Sequence, residues 1–213
     1  MLVPILHHDP DYLIVDKPCD CTIDSVHAHL YSQFPQYSKL RNVHQLDYAT
    51  SGVYCLALTK KAAAAASLLF RARSVRKTYV ALLRGHMDGH SYNVSAGISK
   101  DPTHPFRMRI DNLSGRPAQT NITVLRRAYF SPSLPVTMVQ LEPISGRRHQ
   151  LRLHTQSLDH PIVGDYNYEQ PDYTDTFRMM LHAWKIVLPF SDGLLSIETE
   201  NPFESLLIDQ PAE

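Results

Sequence analysis

The chain has 213 residues and a mass of 24.2 kDa, with 21 Lys and Arg balanced by 21 Asp and Glu. With 43% hydrophobic and 20% charged residues its composition is ordinary for a globular protein, and its length can bury a core without disulfide or metal staples. Eight glycines against fifteen prolines exclude a collagen-like chain, and no stretch is polar enough to leave the whole chain unfolded.

Residues 62–70 form the longest weakly polar run, far too short to cross a bilayer, so no membrane partner is expected. The first residues lack the basic-then-apolar order of a signal peptide. Cys19, Cys21 and Cys55 cannot make a disulfide framework, and Cys19-Asp20-Cys21 has the wrong spacing for a redox pair. Free thiols in a reducing compartment follow, with the cytoplasm as the expected location. Charge is placed unevenly. Residues 1–24 carry five acids and one base, residues 191–213 carry six acids and no base, and residues 25–190 hold 20 bases against 10 acids. A basic middle of this kind permits a polyanion such as RNA on one face, while solvated helix and strand faces explain it equally well.

In chain order, the apolar run 12–15 predicts a strand ended by Lys17-Pro18. The spacing of 25–34 predicts a helix with Ser25 as N-cap. Residues 52–58 read as a strand. Thr59 then caps an alanine-rich helix over 62–73, followed by a strand over 77–83. The segment 99–119 holds several prolines and polar residues, which predicts a long loop or irregular hairpin of the kind that carries function. Strands at 120–125 and 136–141, a helix at 148–158, and strands at 181–189 and 194–199 complete the order. Strands outnumber helices and few are joined by helical crossovers. The expected class is α+β with a mixed, mainly antiparallel sheet flanked by helices, in one domain over 1–213.

Five strings could carry chemistry. His44-Gln45-Leu46-Asp47-Tyr48-Ala49-Thr50-Ser51-Gly52 sets a carboxylate in a polar knot between strands, where it either serves catalysis or simply caps a turn. Gly146-Arg147-Arg148-His149-Gln150-Leu151-Arg152-Leu153-His154 puts Arg148 and Arg152 four apart on a helix, sharing a face with His149. That helix is either a basic surface helix or one that turns an arginine inward, where the guanidinium needs a carboxylate. Tyr79 lies in an apolar strand and is, by default, a core tyrosine. His160-Pro161-Ile162-Val163-Gly164-Asp165 and Leu181-His182-Ala183 are most simply structural. His149 and His154 are five apart, and no close His/Cys/Asp trio has ligand spacing, so no metal site is expected and a metal hydrolase ranks low.

Taken in order, these strings resemble the RluA family of RNA pseudouridine synthases. The resemblance rests on His44-x-Leu46-Asp47-x-x-Thr50-Ser51-Gly52, together with Asp16-Lys17-Pro18, Lys77-x-Tyr79, the 146–154 string, the 160–165 string and Leu181-His182-Ala183. It spans about residues 3–200. It implies conversion of uridine to pseudouridine in structured RNA, a tRNA or rRNA stem-loop, without cofactor, and a monomer with no required protein partner is expected. It implies Asp47 as the catalytic aspartate, Arg152 as the arginine paired with it, and Tyr79 as the ring that receives the base. His44, Gln45, Thr50, Arg147, His149 and Leu181 would then line the RNA and base side of the site. Relatives commonly have arginine where this chain has Gln45, a residue associated with filling the space a flipped nucleotide leaves. Many relatives also carry an S4-type RNA-binding domain, and a stand-alone catalytic domain is expected here. The competing expectation is an RNA-binding module or RNA chaperone that kept the fold without turnover.

Overall fold

The computed structural model describes residues 2–131, 133–169, 176–191 and 193–209. In chain order the elements are β1 (Ile5–His8), β2 (Tyr12–Lys17), α1 (Ile23–Gln33), β3 (Arg41–Asn42), β4 (Ser51–Ala57), α2 (Lys60–Arg71), β5 (Arg76–Arg84) and β6 (Ser91–Lys100). They continue with β7 (Met108–Ile110), β8 (Arg116–Phe130), β9 (Leu134–Pro143), α3 (Gln150–Gln156), β10 (Leu181–Phe190), β11 (Gly193–Glu198) and β12 (Leu207–Ile208). The expected class is what forms: among the described residues, a mixed sheet system, mostly antiparallel, with three α-helices. No helix among the described residues is long and apolar enough to cross a membrane.

The chain divides into two compact units, Met1–Lys77 with His182–Glu200, and Thr78–Leu181 with Asn201–Glu213. In the first, β4 is the central strand. It pairs antiparallel with β2, from Tyr12 opposite Ala57 to Lys17 opposite Gly52, and parallel with β10 at Ser51 and Gly52. Every residue of β4 is buried, as a strand covered on both faces must be. The alanines of α2 explain part of that cover. Ala62 and Ala66, one turn apart, pack with Val53, Cys55 and Ala57 of β4 and with Ile186 and Leu188 of β10. Their small side chains let the helix backbone approach the sheet, and the Tyr12 hydroxyl donates to the Ala62 carbonyl at 3.0 Å. Thr59 caps α2 as expected, its hydroxyl accepting from the Ala62 amide at 3.0 Å. At α1 the cap is Thr22, not Ser25. The Thr22 hydroxyl accepts from the Ser25 amide, because helical geometry already begins at Ile23.

In the second unit β5, β9, β8, β6 and β7 lie side by side, all antiparallel, and β12 adds to β8. The segment 99–119 is more ordered than the sequence suggested. β6 runs to Lys100, β7 pairs Met108–Ile110 back onto it, and β8 begins at Arg116. The strand β6 went unforeseen because Asn93, Ser95 and Gly97 disguise an alternation in which Val94 and Ile98 point inward. The helix expected at 148–158 contracts to α3, with His149 at its N-cap in the left-handed region, φ +56°. Arg148 therefore lies outside the helix and is exposed, and it does not share a helical face with Arg152. Nor is α3 a basic surface helix, since Gln150 to Thr155 are all buried.

Candidate active site

In the first unit, Gln45, Asp47 and Thr50 occupy the single loop between β3 and β4, and its turn is fixed at several points. The Thr50 amide donates to the Asp47 carbonyl at 3.2 Å. Lys17, 0% exposed, reaches from the end of β2 and donates to the carbonyls of Pro18, Cys21 and Tyr48 at 2.9, 3.1 and 3.0 Å. The Tyr48 carbonyl follows Asp47 directly, so a buried cation pins the backbone beside the carboxylate. Burial is the largest influence on Lys17 and lowers its pKa.

The next two residues are tied to β10. Ser51 Oγ lies 2.7 Å from His182 Nδ1, and a Cβ on Gly52 would stand 2.2 Å from the Ala183 carbonyl oxygen. Gly52, at φ +110°, is thus the residue that lets the strands meet where the loop ends. His44 begins the loop. Its ring stacks on Phe70 with centroids 5.2 Å apart, and its Nε2 accepts the Cys55 amide at 2.9 Å. Burial first, and the charge of Lys77 second, push its pKa down to about 3, so the ring stays neutral. Gln45 is exposed, as is Tyr48.

In the second unit Arg152 is 3% exposed and Asp165 0%. The guanidinium donates to the two Asp165 oxygens at 2.6 and 2.7 Å, a bidentate geometry that keeps a buried arginine charged and aimed. Its carbon lies 5.0 Å over the Tyr168 ring. The loop supplying Asp165 is held in turn. Glu169 accepts from Arg84 and, at 2.8 Å, from the Gly164 amide. His149 Nδ1 is 2.7 Å from the Tyr168 hydroxyl. Arg147 Nε donates to the Pro117 carbonyl at 3.2 Å, and the Gln150 side chain ties the Arg147 amide to Ser145, Gln119 and Thr120. Tyr79 sits on β5 opposite Leu141, half-buried, and Leu181 is buried at the start of β10.

The structure thus gathers Gln45, Asp47 and Thr50 on one loop, with His44 turned to Phe70 and Cys55 at its start. It gathers His149 and Arg152 around Tyr168. Sequence patterning passed over Tyr168 and Glu169, noted Lys17 only as part of the Asp16-Lys17-Pro18 string, and treated Asp165 as structural. One signal was available, because an inward arginine demands a buried carboxylate and Asp165 lies in a string rich in turn residues. The basic surplus also proves partly internal. Arg84 pairs with buried Glu169, Arg127 donates to the carbonyls of Met87, Asp88 and Gly89, and Arg126 bonds Glu204 and Asp209 at 2.8 and 2.5 Å. Of the acidic C-terminal segment, residues 201–209 pack on the second unit and Glu198 pairs with Lys185 in the first, whereas Asp192 and Glu213 lie outside the described residues.

Residues 11–157 match the sequence family described as RNA pseudouridylate synthase. RNA pseudouridylate synthase domain-containing protein 1 of Danio rerio is 35% identical over 93% of this chain and 74% of its own length. The dual-specificity RNA pseudouridine synthase RluA of Escherichia coli is 36% identical, with 84% of this chain and 83% of that protein covered. The solved structure of human RNA pseudouridylate synthase domain containing 1 superposes with a TM-score of 0.87 at 36% identity, covering 95% of this chain and 84% of that one.

Proposed function

The chain belongs to the RNA pseudouridylate synthase family and isomerises uridine in RNA, and from that premise we propose that it acts on a structured stem-loop of tRNA or rRNA through one carboxylate, Asp47. The N1–C1′ bond of the target uridine breaks, the base turns while held, and C5 bonds to C1′ as C5 gives up its proton and the freed N1 takes one up. Atoms are conserved in this exchange, so the reaction needs no redox partner. Asp47 acts at the sugar as the glycosidic bond opens, and because the detached base itself returns, no second carboxyl is required to activate water. Arg152 serves as the arginine that assists the aspartate, its guanidinium held by Asp165. The Tyr79 ring receives the extruded base, a contact worth ~1–3 kcal/mol. Gln45, Thr50, Arg147, His149 and Leu181 line the RNA and base side, with His44 holding the loop's first turn.

The observation that carries this reading is the fixed turn at position 47: a carboxylate on a loop whose backbone is clamped by Lys17 on one side and by Ser51 and Gly52 on the other. A catalytic group held this way meets its substrate without reorganising. A chain whose three cysteines, Cys19, Cys21 and Cys55, build no disulfide framework suits a reducing compartment, and we place the protein in the cytoplasm as a monomer needing no protein partner.

The test is RNA labelled with tritium at uridine C5. The wild type releases label to water from stem-loop RNA, and Asp47→Asn releases none while still binding the RNA. Label release by Asp47→Asn at the wild-type rate removes Asp47 from the mechanism. Binding by the wild type without label release would instead mark an RNA-binding module.

A further inference from the structure

The Tyr168 hydroxyl lies where three parts of the second unit meet. It accepts the Met108 amide of β7 at 2.8 Å, stands 3.2 Å from the Met108 carbonyl, and stands 2.7 Å from Nδ1 of His149, the residue that opens α3. A phenol has one proton to donate and two lone pairs to accept, so these contacts fill its capacity. The ring of the same residue faces the Arg152 guanidinium at 5.0 Å, and Tyr168 is buried in a cluster with Ile98, Ala118 and Leu153, against which Met108 and Ile110 pack. One side chain thus joins the β6–β7 hairpin to the arginine.

The hairpin has the chemistry of a surface for a nucleic-acid backbone. Arg107 and Arg109 flank Met108 and Lys100 ends β6. The Nε of Arg107 is buried without a hydrogen-bond partner among the described residues. Phe106 at the tip is 65% exposed, and its carbonyl accepts from Arg148 at 3.2 Å. Cationic side chains beside an exposed ring suit phosphates and an unstacked base.

We propose that Tyr168 is a positioning residue that couples RNA docking on the β6–β7 hairpin to the orientation of Arg152, an inference that rests on the function proposed above. RNA pressed against the hairpin fixes β7, the Met108 backbone fixes the Tyr168 hydroxyl, and the Tyr168 ring holds the guanidinium against Asp165. A substrate too short to reach the hairpin forgoes this.

The experiment compares Tyr168→Phe with wild type on a stem-loop RNA and on a short single-stranded uridine oligonucleotide, both tritiated at C5, with thermal melting to verify folding. Tyr168→Phe keeps the ring over Arg152 and removes the hydroxyl. The ratio of kcat/KM for stem-loop over oligonucleotide falls about tenfold, in line with one lost hydrogen bond. Tyr168→Leu, which removes the ring as well, lowers turnover on both RNAs. A merely structural role lowers both substrates in proportion in Tyr168→Phe, and that result, or an unchanged ratio, overturns the proposal. Affinity separates the two levels. If the wild type binds but turns over neither RNA, the proposed function fails. The coupling then stands only if Tyr168→Phe weakens stem-loop binding about tenfold more than oligonucleotide binding.

Discussion

At the scale of single residues, the loop that carries Asp47 is held by groups whose protonation is set by burial. His44 is the clearest. Its folded pKa is pushed down to about 3 from 6.5 by burial first and the charge of Lys77 second, and the neutral ring stacks on Phe70 and accepts the Cys55 amide. Between those values the unfolded chain binds the proton and the folded chain does not, so stability falls as pH drops through this window. From about pH 6.5 to about pH 4.5 the loss attributable to His44 is ~2 kcal/mol, at ~1.4 kcal/mol per pH unit less some solvent screening. Urea unfolding at the two pH values measures it, and His44→Gln flattens that difference. Lys17 shows the same logic with a cation, since its burial is tolerated because three carbonyls surround the ammonium. Both residues stand inside strings the sequence singled out, yet their jobs were illegible there. What a histidine or lysine does depends on which backbone atoms surround it, and those atoms come from Cys55, Cys21 and Tyr48.

At the scale of elements, α2 and β4 were legible nearly to the residue because each satisfies its own local rule: a Thr cap before a run of alanines, and a short apolar strand bounded by turn residues. What the sequence left open is which alanines touch the sheet. Ala66, fully buried with Val53 and Cys55 in the same cluster, has no room to grow, and Ala66→Leu is expected to destabilise by ~1–3 kcal/mol through overpacking. Ala63→Leu, on the partly exposed side, costs much less. Thermal melting of the two variants checks the contrast. The strand β6 was illegible for the opposite reason: its glycine and polar residues weaken the period-two pattern, and only pairing with β8 on one side and β7 on the other makes it a strand. A Cβ on Gly97 would lie 2.3 Å from the Asp111 carbonyl oxygen, so the residue that blurred the pattern is the one the pairing needs.

At the scale of the whole molecule, charge is the property the sequence overstated. The middle of the chain holds ten more bases than acids, but Arg126 meets Glu204 and Asp209 of the acidic end and Arg127 donates to backbone carbonyls, while Arg84 and Arg152 are matched by Glu169 and Asp165, already counted among those acids. Binding of stem-loop RNA is therefore expected to depend on salt with a slope of about −3 in log K against log[salt], reflecting ~4 phosphate contacts. Titrations across a range of potassium chloride concentrations measure it, and a slope near −8 would mean that most of the surplus meets RNA. The return of the chain to the second unit after β11 belongs to this scale as well, because Phe203 is fully buried and β12 pairs with β8.

Local pattern and ordered motifs were enough for the class of the fold, the helix α2, the strands around β4 and the family, since each of these survives without coordinates. Three-dimensional packing alone turns Arg152 inward onto Asp165 and Tyr168, sets Lys17 against the backbone beside Asp47, and brings the acidic end to Arg126. The physical reason is the same in each case. Each depends on partners remote in sequence, 13 residues away for buried Arg152, 31 for the Tyr48 carbonyl that meets buried Lys17, and 78 and 83 for the partly exposed Arg126. No local pattern spans such separations.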